Sequence, residues 1–320
     1  MARFANGTLI IKSEDIERVV AAQPENTSNA RAYFKQTKLK NSTHIAASEI
    51  KREYGNVPVV VRGDTGVTPK HGLDVTDIVP MPVEIDDKIS AVESDELERA
   101  TGEGLNQIVD DYLGQHADMV RNTVNALCCQ AHKGSIDYMM KTGSGFERYQ
   151  VNYGTVKSVS FGKALASLTI GDAVKDLASL RKLCVDQGVG GQGEFIAAAD
   201  VYAKYVDLLA AAKQTEAIKD GWLQLGPYKV LEDNDSYVDV AKNGSKTTKS
   251  ICDAKEVVYR ALSAGQKLCY LRLDDVVQKT AVPIYSFTEK GEGQRGVRLY
   301  TKSKPFPLVN VKGLSNGKYQ

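Results

Sequence analysis

The chain is poor in the residues that carry chemistry. Its 320 residues include four histidines, His44, His71, His116 and His132, and these are scattered and complete no metal-ligand motif. No H-E-x-x-H or Walker A pattern occurs, and no hydrolase-type nucleophile elbow is expected. Cysteine is sparse too: there are five, an odd number, and only Cys128 and Cys129 adjoin. That is no disulfide framework, and it points to a reducing compartment. The adjacent pair falls within a helical pattern, where neighbouring side chains diverge, so it reads as two small buried hydrophobes rather than a redox couple. Charge of one sign is missing as well. A formal net charge of +1 gives neither nucleic acid nor an acidic surface a global attraction. No apolar run reaches the ~18 residues of a membrane-spanning helix, and the first residues lack the apolar core of a secretory leader. What remains, 42% apolar and 25% charged, is the composition of a soluble globular protein able to bury a substantial core.

One motif does match. Gly188-Val-Gly190-Gly191-Gln-Gly193 satisfies G-x-G-x-x-G, which binds dinucleotides only when it follows a strand and opens a helix. Here the order is reversed. The preceding TIGDAVKDLASLRKLCVDQ opens with Thr169 and Asp172 in capping-box spacing and carries Ile170, Val174, Leu177 and Cys184 near helical period. Gly188 is then a natural helix stop, and EFIAAA beyond it reads as a strand. The glycines are expected to form a helix-to-strand connection.

The remaining signals concern architecture. In EGLNQIVDDYLGQHADMVRNTVNALCCQA, apolar residues from Leu105 through Leu113, Met119, Val120 and Val124 to Ala131 form one stripe at helical spacing. A helix over that stretch is about 40 Å long at 1.5 Å per residue, which suggests an elongated subunit. Before it, Leu73, Val75, Val79, Met81, Val83 and Ile85 alternate with mostly polar residues, the pattern of a long strand. Pro80 and Pro82 lie two apart and remove donors from one edge only. The run VPVVVR at 57–62 is the expected partner, giving a long two-stranded arm. Such an arm is marginal in water unless its apolar face lies on something. Arg62-Gly63-Asp64 sits where the first strand ends. Gly63 permits the turn and Asp64 can cap it, so the tripeptide reads as turn chemistry rather than an adhesion ligand.

Charge is also patterned. Ten acids fall between Glu84 and Asp111 against Lys88 and Arg99, and six bases between Arg31 and Arg52 against Glu49. These runs read either as solvated faces or as complementary contacts between copies, the basic one alternatively as an arm facing DNA.

The order of these features is a polar segment (1–55), a long hairpin (56–90), a long helix (about 93–133) and alternating strands in FERYQVNYGTVKSVSF. It resembles the major capsid proteins of tailed phages, the lambda-type protein E family with the Hong Kong 97-type fold. RGDTGVTPKHGLDVTDI is similar to that family's extended loop, and DDYLGQHADMVRNTVNALCCQAHKG to its spine helix. EFIAAADVYAKYVDLLAAA and GPYKVLED resemble the entry to its axial domain, and VRLYTKSKPFPLVNVKG the strand returning to the peripheral domain. The resemblance covers roughly 50–313, with 234–266 unplaced.

It implies an α+β capsid fold with an N-terminal arm (1–55) and an extended hairpin loop (56–90). A peripheral domain (91–186 with 296–320) would carry the spine helix, beside an axial domain (187–295). The implied function is structural: a major capsid protein that self-assembles as hexamers and pentamers into an icosahedral shell around phage double-stranded DNA. Such a protein belongs to the virion, is assembled in the host bacterial cytoplasm, and has no catalytic, cofactor or metal residues and no membrane contact. Scaffolding, decoration and portal proteins are its further implied partners, and Arg62, Asp64, Lys70, Asp74, Val79, Met81 and Val83 its expected assembly contacts. Two other classes stay open from the residues, an enzyme binding a nucleotide at Gly188–Gly193 and an adhesion or nucleic-acid-binding module, and the resemblance itself leaves open a cellular nanocompartment shell of the same fold.

Overall fold

A computed structural model describes residues 3–5, 8–11, 13–22, 28–46, 49, 77–90, 93, 99, 103–143, 145–241, 243–275, 278–290 and 297–320. A small hairpin, β1 (Arg3–Ala5) and β2 (Thr8–Ile10), comes first, then helix α1 (Ser13–Ala22), a single turn α2 (Asn29–Ala32) and β3 (Gln36–Lys40). β4 (Val83–Ile89) precedes the long helix α3 (Glu103–Ala131), the hairpin β5 (Ser135–Thr142) and β6 (Gly145–Asn152), and β7 (Lys157–Ser160). α4 (Ile170–Val185), β8 (Gly193–Ala197) and α5 (Ala199–Ala211) lead to β9 (Ile218–Lys219), β10 (Trp222–Leu225) and β11 (Tyr228–Glu232). A second hairpin, β12 (Ser236–Val240) and β13 (Lys246–Ser250), is followed by β14 (Glu256–Ala261) and β15 (Lys267–Leu271). The chain closes with β16 (Tyr285–Lys290), β17 (Val297–Ser303), β18 (Pro305–Leu308) and β19 (Leu314–Lys318).

The main core is built on a seven-stranded sheet, order β7-β19-β14-β8-β11-β10-β9, with α4 and α5 side by side against it. Every residue of β14 is buried, which marks it as the sheet's interior strand. Local chemistry places α4 where the sequence does: the Thr169 side chain accepts from the Asp172 amide, and Gly188, at φ 80°, turns the chain out of the helix. β8 then starts at Gly193, where a Cβ would overlap the Tyr259 ring. The glycine-rich stretch is therefore a helix-to-strand connection packed on β14, in the opposite order to a dinucleotide site.

α3 runs 29 residues, about 43 Å. Val109, Leu113, Ala117, Val120 and Val124 form its buried stripe, and from Ala126 to Ala131 the helix is buried all round. Met119, expected on the stripe, is 53% exposed instead, because Ala117 and Val120 occupy the seam on either side of it. The first half of α3 packs on α1 in a separate cluster, where Ile16 and Val19 meet Val109, Leu113, Ile89 and Leu299.

Two expectations are corrected. Of the strand read at 73–85, residues 73–76 lie outside the described residues; between 77 and 82 only Ile78 pairs, in a bridge to Ile45, and the ladder begins after Pro82 and runs to Ile89. The prolines cannot donate, so the ladder starts where they end. The partner of β4 is β17, in continuous register from Val83↔Ser303 to Ile89↔Val297. The expected partner at 57–62 lies outside the described residues. Further, part of the polar N-terminal segment belongs to the body: Ala30, Phe34 and Ile45 are fully buried, and β3 pairs parallel with β15.

Candidate assembly surfaces

Period-two alternation along the hairpin β5–β6 sends Ile136, Tyr138 and Met140, with Val151 and Tyr149 opposite, to one face. At the base Ile136 and Val151 are buried, while Tyr138, Met140 and Tyr149 further out are half-buried. A groove of about 560 Å³ opens between this face and the start of β4, with Leu127 of α3 and Phe306 of β18 beneath it. Met81, Met139 and Met140, three of the chain's five methionines, line it. Methionine is unbranched and polarizable, so such a wall adapts to irregular partners. Glu84, Asp86 and Lys141 add charge to the lining.

Of the residues singled out from sequence, Val79 and Met81 are 51% and 40% exposed, and Val83 is half-buried and lines the groove with Met81. Arg62, Asp64, Lys70 and Asp74 lie outside the described residues. The hairpin face was missed, although SIDYMMKT and FERYQVN carry the alternation that produces it. Phe146, near its turn, is 54% exposed.

The outward face of β16, β17 and β4 is largely paired within itself, although its Glu84, Asp86 and Tyr300 also line the groove. Tyr285, Phe287 and Tyr300 stack in a ladder with centroids 5.5 and 5.1 Å apart, and Lys302 and Arg298 sit over Phe287 and Tyr300. Arg298 also grips Asp86 through two nitrogens, at 3.1 and 2.5 Å. Part of the acidic run is likewise used within the chain, since Arg18 of α1 holds Asp110 of α3 with bonds of 2.5 and 2.7 Å. On the basic side, Lys35 just before β3 and Lys38 within it are exposed, while Lys40 pairs with Glu49.

Nothing on the described surface assembles into a reactive centre. Cys128 and Cys129 are both fully buried, and burial pushes the Cys128 thiol up to about 12, away from the thiolate that redox chemistry needs. A G-x-S-x-G spacing does occur, at Gly313–Gly317, where no such pattern was expected. It is not an elbow: Ser315 is fully buried in β19 and donates to the Leu180 carbonyl at 2.8 Å. The flanking glycines answer to packing, because a Cβ would overlap Ala264 at Gly313 and the Phe161 ring at Gly317. His116 contacts Thr301 Oγ1 at 2.8 Å through Nδ1 and lies 3.5 Å from Asp87 through Nε2, and Ser286 bonds Thr301 at 2.8 Å. The hydroxyls and the ring are buried, so this chain fastens α3 to the sheet. Burial holds the His116 pKa below its ordinary value against the pull of Asp87. Among the described residues no group of three or more His, Cys, Asp or Glu is placed to hold a metal, and no helix is long and apolar enough to cross a membrane.

A family model described as phage major capsid protein E matches residues 16–315. No curated protein sequence matches the chain. A crystal structure described as a capsid protein of a prophage in E. coli CFT073 aligns over 100% of both chains at 13% identity, with a TM-score of 0.65. A phage-related protein from Bordetella bronchiseptica RB50 aligns over 96% of this chain and 97% of its own at 9% identity and a TM-score of 0.49. A virus-like particle from Pyrococcus furiosus aligns over 95% and 97% at 8% identity and a TM-score of 0.46.

Proposed function

Because the chain belongs to the phage major capsid protein E family, we propose that its copies close into an icosahedral shell of hexamers and pentamers around phage double-stranded DNA. The family match across nearly the whole chain carries this reading, and the α+β fold, which a prophage capsid protein shares over its full length, agrees with it. The protein is a structural shell component, and in this reading it has no catalytic, cofactor or metal role. Assembly takes place in the host bacterial cytoplasm, where five reduced, buried cysteines are at home.

Contacts between copies fall at the extended loop (56–90) and at the methionine-lined groove. Val79 and Met81 support this, since a lone soluble subunit would leave both in water. Arg62, Asp64, Lys70 and Asp74 contribute from the same loop, and Val83 from the groove. The domains are an N-terminal arm whose later residues, from Ala30, pack into the body, the loop, a peripheral part around α3, and an axial part centred on β8 to β11. β7 and β19 join the axial sheet, whereas β16 and β17 pair with β4. Lys35 and Lys38 face packaged DNA without sequence preference. Scaffolding, decoration and portal proteins are further partners.

Negative-stain microscopy and light scattering of the purified protein test the reading. Closed particles are expected, and a monodisperse monomer at assembly concentrations would overturn it. Particles filled with protein cargo and free of DNA in cells would instead identify a nanocompartment. Met81→Asp, on a 40% exposed residue, should leave the subunit folded by circular dichroism and prevent particle formation.

A further inference from the structure

The hairpins β5–β6 and β12–β13 both stand outside the seven-stranded sheet as separate two-stranded units. Two strands alone are marginal in water, so each needs an anchor. One guanidinium links them. Within its own hairpin Arg148 donates from Nε to Asp137 Oδ1 at 2.7 Å and from Nη2 to the Asp137 carbonyl at 2.6 Å. Its Nη1 reaches across to β12, donating to Asp239 Oδ1 at 3.0 Å and to the Val240 carbonyl at 3.2 Å. From the far side Lys249 of β13 donates to Asp239 Oδ2 at 2.7 Å. The centre of the joint is sheltered, the side chain of Asp239 being 9% exposed and that of Arg148 25%, while Asp137 and Lys249 stand about half exposed at its edges. At the hairpin base Gln130 of α3 bonds both the carbonyl and the amide of Asp137, at 3.0 and 2.9 Å.

The geometry gives this joint a lever. Arg148 and Tyr149 are consecutive on β6, so they point to opposite faces. Arg148 is pulled toward β12 while Tyr149, Tyr138 and Met140 form the wall of the groove. A planar fork holding two partners at once fixes an angle as well as a distance, which an ammonium on a flexible stem cannot do. We infer that the Arg148–Asp239 joint sets the tilt of the β5–β6 hairpin, and through it the angle at which a second copy seats in the groove. Arg148 is thus a positioning residue, acting on assembly through the hairpin it holds. The inference rests on the groove being a contact between copies.

Two variants test it by particle size, which a purely structural role would not move. Arg148→Lys keeps the charge and loses the fork. Arg148→Met/Asp239→Asn removes both charges, so neither is left buried and unpaired. Subunits of both should fold, by circular dichroism, and should assemble into particles whose mean diameter shifts or whose diameter distribution broadens in cryo-electron micrographs. Unchanged diameter and spread in both variants would overturn the inference. So would subunits that no longer fold, for the joint would then be a folding element. Met81→Asp separates the two levels: normal particles from it would remove the groove as a contact, whatever the Arg148 variants do.

Discussion

His132 lies one residue past the end of α3 with its ring against Tyr33 and Phe34, centroids 5.0 and 5.8 Å away. Its Nδ1–H, so assigned because a carbonyl can only accept, donates to Cys128 O at 2.8 Å and leaves Nε2 buried with no partner. Burial first, and then the charge of Arg260, pushes its pKa down to about 3 from an ordinary 6.5. Between those values the unfolded chain takes up a proton that the folded chain refuses. The ring's contribution to stability is therefore fully present above pH 6.5 and is lost as pH falls through that window toward 3. His132→Phe keeps an aromatic ring in place and removes the titrating nitrogen. Its melting temperature should fall less between about pH 7 and about pH 4 than that of the unaltered protein. Identical slopes would show that carboxylates alone govern acid unfolding.

α3 carries the clearest prediction for a single element. Leu113 is 3% exposed where the helix meets α1. Proline there removes a backbone donor and clashes with the preceding turn, at ~3 kcal/mol or more, besides deleting a buried side chain. Leu113→Pro should give insoluble or unassembled protein, read by sedimentation and microscopy, whereas exposed Asn122→Ala should change stability by no more than about 0.5 kcal/mol. Normal particles from the proline variant would remove α3 as the backbone of the subunit. This helix, like α4, could be read in advance because its signals are local: a stripe at fixed spacing, and a threonine three residues before the amide it caps. β4 was read with the wrong bounds over the described residues because alternation gives a strand's faces and not its ends. The period continues to Ile89, and the two prolines decide where pairing starts. Nothing local foretold that Ser315 would pair with Lys157, or that β3 would lie beside β15, since such neighbours are set by closing long loops. The groove was half legible for the same reason: Met81 and Val83 showed in one strand pattern, but the hairpin wall facing them comes from a distant stretch.

For the whole subunit, the open question is what the loop containing Arg62-Gly63-Asp64 contributes to a shell. Among the described residues, the cysteines and the long helix are buried in two apolar clusters, to which Ile78, Val83, Ile85 and Ile89 contribute where the loop rejoins the body. Apolar side chains left in water include Val79 and Met81, close to where the loop rejoins the body, and the groove opens beside them. A loop that rejoins the body beside the groove is expected to matter between copies more than within one. Replacing residues 63–72 by a short Gly-Asn turn should therefore leave circular dichroism and melting close to those of the unaltered protein, since two-residue turns of this type close hairpins readily. Microscopy of the same preparation should show particles absent or misshapen. Asp64→Glu keeps the charge and the chance of a local turn bond while spoiling an adhesion ligand, so its particles should be normal. Normal closed particles from the shortened chain would make the loop an ornament of the shell, and a shortened chain that fails to fold would place it in the core instead.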